Sequence, residues 1–239
     1  MKNIMFAFSG FAFLMALMQP LNAATLEEAM AAAKATDYKT AATIYQELAG
    51  KGDAKAQYNL GLMYFRGDGV EQSYQEAAKW HRMAAEQGYA DAQYSLAAMH
   101  FNRDIPTEDY AEAAGWYKKA AEQGHVKSML NLGILYFRGD IFEQNLEESV
   151  KWYLKAAEAG NAEAQFNLGN MYTRGLGVPE DIVRGTMWIL VSIENPDVGR
   201  RIVSKTKVAN FNAYKMTEEQ KAQTRALANE CNAKKYKGC

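Results

Sequence analysis

The sequence predicts an all-α chain, a solenoid of tandem helix-turn-helix units, and three observations lead to that reading. Steps of 36 residues carry Trp80 onto Trp116, Trp152 and Trp188, and Leu60 onto Leu96, Leu132 and Leu168; these are all four tryptophans of the protein. Within each unit the apolar residues return at spacings of three and four, the period of an amphipathic helix. Glycines stand where those helices should end. A fixed period of this length marks an array whose units bury their apolar faces only against their neighbours.

Composition agrees with an ordered domain: of 239 residues, 49% are apolar and 23% charged, far from a disordered chain. The net charge of -1 hides an asymmetry. Residues 198–239 carry ten Lys/Arg against three Asp/Glu, whereas residues 24–197 carry sixteen against twenty-five.

At the N-terminus, Lys2 precedes an apolar run over 4–18 that Pro20 breaks, and Leu21-Asn22-Ala23 precedes an expected cut before Ala24. This is the pattern of a secretory signal peptide over residues 1–23. The alternative, a retained anchor, needs about 20 apolar residues, and this run is shorter and interrupted by Ser9 and Gly10. After cleavage no membrane-spanning segment is expected, and the destination is the periplasm or the medium. In such an oxidising compartment Cys231 and Cys239, the only cysteines, are expected to form a disulfide. Closing that short loop is worth about 2.5 kcal/mol in the chain-entropy model. Free thiols are the alternative; a metal site has no histidine nearby to complete it.

Residues 24–52 read as an N-terminal capping half-repeat. Thr25 and Glu28 form a capping box that opens an Ala-rich helix. Asp37 ends it, and residues 38–52 then match the second half of the unit that follows 36 residues later. Four copies succeed it, 53–88, 89–124, 125–160 and 161–196. In the first, Ala54, Ala56, Leu60, Met63 and Tyr64 form one helix and Gly67 terminates it; Ala77, Trp80, Ala84 and Ala85 form the second, closed by Gly88. Alanines let the helices approach and the indole fills the space between pairs. Burying one indole is worth roughly 4–6 kcal/mol at about 25 cal/mol per Å2, which assigns the tryptophans to the core. After Pro196 the period stops. A helix is expected over 198–214, and Thr217 with Gln220 opens another through Ala233; together they make residues 197–239 a basic, disulfide-closed C-terminal cap.

The pattern A-x-A-x-x-x-L-G-x-M-Y-x-x-G-x-G-V, followed by A-x-x-W-x-x-x-A-A-x-x-G, resembles the Sel-one-like repeat, a branch of the tetratricopeptide superfamily. The resemblance covers residues 53–192, most closely in the first and third copies. The second departs with Arg103 for the first glycine and Pro106 in the turn; the fourth departs with Gly185-Thr186 before Trp188 and Ser192-Ile193 for the paired alanines. The resemblance implies a right-handed α-solenoid that binds a protein or peptide on its concave face, without a cofactor.

By analogy with tetratricopeptide arrays, that face takes the second, fifth, ninth and twelfth positions of each first helix. Phe65, Phe101 and Phe137 then form one ladder, Tyr58, Tyr94 and Phe166 another, with Arg66, Arg138 and Arg174 along the edge. This face lies roughly opposite the Ala56-Leu60-Met63 face, so the first helices are apolar on two sides. The second side is either a binding groove or buried within a tight superhelix. Aromatic residues flanked by arginine are enriched at interface hot spots, and arginine grips carboxylate or phosphate.

No phosphate-binding loop, nucleophile elbow or histidine cluster recurs in the chain. His81, His100 and His125 occupy unrelated repeat positions, and His100 reads as a packing or capping residue. Nucleic acid is not expected as a partner. The expected function is that of an exported, non-enzymatic adaptor. Two alternatives stand beside it: an enzyme acting on cell wall or β-lactams, as in relatives with a cysteine pair in every repeat, which this array lacks, and weak attachment of the basic tail to an anionic envelope surface.

Overall fold

A computed structural model describes residues 24–105, 109–196 and 216–239. Over these residues the chain forms eleven helices and no strand: α1 (Leu26–Lys34), α2 (Tyr38–Gly50), α3 (Ala54–Arg66), α4 (Tyr74–Glu86), α5 (Ala90–Phe101), α6 (Tyr110–Glu122), α7 (Val126–Arg138), α8 (Leu146–Glu158), α9 (Ala162–Arg174), α10 (Ile182–Glu194) and α11 (Glu218–Ala233). The signal segment, the helix expected over 198–214 and Pro106 lie outside the described residues. Each described helix packs chiefly on its neighbours in sequence, which makes the molecule an α-solenoid.

Local chemistry sets the helix limits. Side chains of Asp53, Ser73, Asn145, Asn161 and Asp181 accept from the free amides of α3, α4, α8, α9 and α10. Both capping boxes are formed, at Thr25 with Glu28 and at Thr217 with Gln220. At the far ends of α3, α7 and α9, Gly67, Gly139 and Gly175 take φ of 79°, 77° and 63°, the left-handed region where a β-carbon is costly. In the second copy Arg103 adopts that conformation, at φ 62°.

Leu60, Leu96, Leu132 and Leu168 have no exposed surface and run through the core as one row. Trp188 is fully enclosed and Trp116 and Trp152 are buried, but Trp80 is only partly so. The difference has a local cause. Lys119 and Lys155 lie over Trp116 and Trp152 at 3.9 and 4.3 Å, whereas the first copy has Met83 at that position, itself turned to solvent, and leaves Trp80 with the more distant Lys79 at 5.6 Å.

Two recurring contacts bring the helices together. A β-carbon on Gly61 would stand 2.7 Å from the His81 ring, one on Gly133 2.5 Å from the Tyr153 ring, and one on Gly169 2.6 Å from the Gly185 carbonyl. Absence of that carbon is therefore what lets α4, α8 and α10 lie against α3, α7 and α9, while the second copy has Ala97 at that position. The other contact is a buried glutamine. Gln57, Gln93 and Gln165 donate to the carbonyls of Ala49, Ala85 and Ala157 at the end of the preceding helix. Their own side-chain oxygens accept from Gln87, Gln123 and Asn195. In the third copy both members of the pair are apolar, Met129 and Ala159.

Beyond α10, α11 packs on it and the chain then turns back. Cys231 and Cys239 are bonded, with their Cα atoms 5.5 Å apart, and the Gly238 amide donates to the Glu158 carboxylate at 3.2 Å. The last residues are thus held against the end of the third repeat.

Three substitutions test these contacts. Gly133→Ala is expected to cost about 1–3 kcal/mol by overpacking against Tyr153, read as a lower urea midpoint. Gln123→Ala alone leaves the buried Gln93 side-chain oxygen without its donor and should cost about 1–3 kcal/mol. The pair Gln93→Met with Gln123→Ala, which copies the third repeat, should recover most of that loss in a double-mutant cycle.

Candidate partner-binding face

The first helices of the four repeats, α3, α5, α7 and α9, each turn one side to the leucine row and keep a second side half open. Tyr58, Phe65, Tyr94, Phe101 and Phe166 are half-buried there, while Phe137 is 36% exposed. Arg66, Arg138 and Arg174 are exposed and make no ion pair among the described residues. The aromatic residues do not form two uniform ladders. Phe65 packs on Tyr74, ring centroids 5.2 Å apart, and Phe101 lies flat on Tyr117 at 5.3 Å and 12°. Tyr58 sits between His81 and Tyr89, and Tyr94 between Tyr117 and His125. The partners differ because the first copy has His81 where the second has Tyr117, and because the N-caps of the following first helices are Tyr89 and His125.

That variation produces two cavities at the same place in the array, two repeats apart. The first, of about 100 Å3, lies between α3 and α5 and is walled by Leu62, Phe65, Met99, His81 and Asp104 among others. The second, of about 80 Å3, lies between α7 and α9, walled by Phe137, Tyr153, Asn170, Met171 and Arg174. Their walls correspond residue by residue at a spacing of 72: Phe65 to Phe137, His81 to Tyr153, Met99 to Met171. At the intervening position Phe101 covers Tyr117, the ring that stands where His81 and Tyr153 stand.

The electrostatics of the two cavities differ. His81 is 1% exposed with no partner for Nδ1, and burial lowers its pKa to about 4, so it is neutral at neutral pH. Burial is the largest influence raising the hydroxyls of both Tyr117 and Tyr153. Asp104 Oδ2 is shut off from solvent without a hydrogen bond. His125 is the N-cap of α7, accepting from the Ser128 amide; burial lowers its pKa, against the pull of Asp91 3.3 Å away. His100 is fully buried. These arrangements can seat and orient side chains of another molecule. Among the described residues no three His, Cys, Asp or Glu are grouped to hold a metal ion, and no helix is long and apolar enough to cross a membrane.

The aromatic and arginine positions followed from repeat geometry in the sequence. His81, Asp104 and Tyr153 did not, because they belong to second helices and a turn whose contribution appears only once two copies are stacked. The sequence difference available was Ala97, which stands in the second copy where the others have Gly61, Gly133 and Gly169.

Burial of His81 in its neutral form predicts a pH dependence. Its folded pKa lies below the unfolded value near 6.5, so its contribution to stability is present above pH 6.5 and is lost as pH falls toward 4. The loss approaches about 3 kcal/mol. His81→Tyr, the residue of the next two copies, should remove that component. The fall in urea midpoint between pH 7 and pH 4.5 should be smaller in the variant than in the wild type.

The array can be placed among known proteins. A family model described as Sel1 repeat matches residues 54–89, 90–125, 126–161 and 162–195. Among solved structures, a Sel1 repeat protein from Oxalobacter formigenes is 35% identical with a TM-score of 0.64, over 72% of this chain and 49% of its own. A protective antigen present in uropathogenic Escherichia coli strains, displaying an SLR fold, is 25% identical with a TM-score of 0.53, over 88% of this chain and 53% of its own. The chain therefore spans about half the length of these two. None of the curated proteins matches it. Four contiguous matches covering more than half of the sequence establish that the chain belongs to the Sel1 repeat family.

Proposed function

We propose that this chain is an exported, non-enzymatic adaptor that binds a protein or peptide partner along the open faces of α3, α5, α7 and α9. Sel1 repeats act as a family in protein-protein interaction, and the choice of face rests on one observation. Each of these helices buries one side in the leucine row and still holds aromatic residues on a second, half-open side, edged by arginines that make no ion pair among the described residues. A helix that only had to reach solvent would carry polar residues there. Large aromatic residues with arginine supply the area and the directional hydrogen bonds from which binding hot spots are built.

Export rests on the apolar segment over 4–18 and the expected cut before Ala24. The likeness to a protective antigen of uropathogenic Escherichia coli supports that address. In the periplasm or outside the cell, the Cys231–Cys239 bond has the oxidising surroundings it needs.

Replacing Phe65, Phe101 and Phe137 together with Ala tests the reading. The expected outcome is a folded variant, by helical circular dichroism, that loses the partners captured by the wild-type chain from envelope extracts. A folded variant that captures the same set contradicts a role for this face.

A further inference from the structure

The two equivalent cavities carry opposite charge at their rims, and this deepens the reading of the open face as a peptide groove, on which it rests. In the first, Asp104 is the only charged residue among the walls. Its carboxylate has no hydrogen bond or ion pair among the described residues, and Oδ2 is withdrawn from solvent. Such a group is costly to leave alone and is offset by a hydrogen-bonded cation. His81 in the same wall is neutral, its imidazole pushed down to about 4, and offers no such charge. The rest of the wall is Leu62, Phe65, Tyr94, Ala98 and Met99 with polar edges at Ser95 and Asn102, a lining suited to a methylene chain. At the corresponding place in the second cavity Arg174 is the only charged residue, accompanied by Asn167 and Asn170. Arg174 stands where the first cavity has Asn102, and Leu176 where it has Asp104.

We propose that the first cavity takes one lysine or arginine side chain of a peptide partner, its methylenes against Phe65 and Met99 and its cation on Asp104, while Arg174 at the second takes an aspartate or glutamate of the same segment. The partner's segment is thereby given a direction along the array: its basic residue lies toward the N-terminal repeats and its acidic residue toward the C-terminal ones. A volume of about 100 Å3 at the first cavity suits one long side chain and not a ring system with substituents. The flat contact of Phe101 on Tyr117 separates the two positions, so the segment crosses an aromatic surface between its two charged anchors.

Selection of a displayed library of random linear peptides on the full chain tests this without knowledge of the natural partner. The wild type should enrich peptides that pair a Lys or Arg with an Asp or Glu at a preferred spacing. Asp104→Asn should weaken a selected peptide by about tenfold or more, and Asp104→Lys should enrich peptides with an acidic residue in place of the basic one. Arg174→Glu should invert the other position. Peptides that depend on Phe65, Phe101 and Phe137 but show no charge pattern, or bind Asp104→Asn and Asp104→Lys as well as wild type, overturn this inference and leave the groove standing. Failure to enrich any peptide above the background of the triple Phe→Ala variant overturns both. Circular dichroism on each variant separates loss of binding from loss of fold.

Discussion

The missing β-carbon in the first helix of three repeats is the constraint on which the rest of the structure depends. At Gly61 and Gly133 the helix surface is hollow enough for the ring of His81 or Tyr153 to lie directly on the backbone. At Gly169 it is hollow enough for the α10 backbone at Gly185 to do so. This approach sets the distance between the two helices of a pair, and through it the leucine row, the alanine seams and the orientation of the open face. Since each unit contacts little beyond its neighbours, a disturbance at one such point loosens a pair and spreads only through adjoining interfaces.

The shape of the open face follows from the same geometry. The His81 and Tyr153 rings that fill the hollows also wall the cavities beside the open side of the first helices. A cavity remains beside His81 and Tyr153, while in the second copy, which has Ala97 in place of the glycine, Phe101 lies over Tyr117. A regular scaffold thereby acquires an irregular surface. The buried glutamine pairs show the complementary behaviour: they are kept whole in three places and exchanged whole for Met129 and Ala159 in the fourth. That is expected when a half-satisfied polar pair costs more than either the full pair or none.

Most of the fold was legible in the sequence because a 36-residue period fixes helix identity, helix ends and nearest neighbours together. Leu60, Gly67 and Trp188 could be given their roles from spacing alone. Trp80 could not, since its cover depends on whether lysine or methionine stands three residues on. The candidate site was half legible. Phe65 and Arg174 follow from repeat position, but the cavities beside them arise where two copies meet, and neither Asp104 nor His81 carries a mark in its own copy that distinguishes a wall residue from a turn or core residue.

The central claim is that partners are met on the open faces of the first helices and not on the second helices. Site-specific photo-crosslinking in the native envelope tests it most directly, with the reactive amino acid placed in separate chains at Phe65, Phe101 or Phe137 and, for contrast, at the exposed Lys79 or Lys151 of α4 and α8. Adducts to other proteins formed from the three phenylalanine positions and absent from the two lysine positions are the predicted result. Adducts confined to Lys79 and Lys151 would contradict the account.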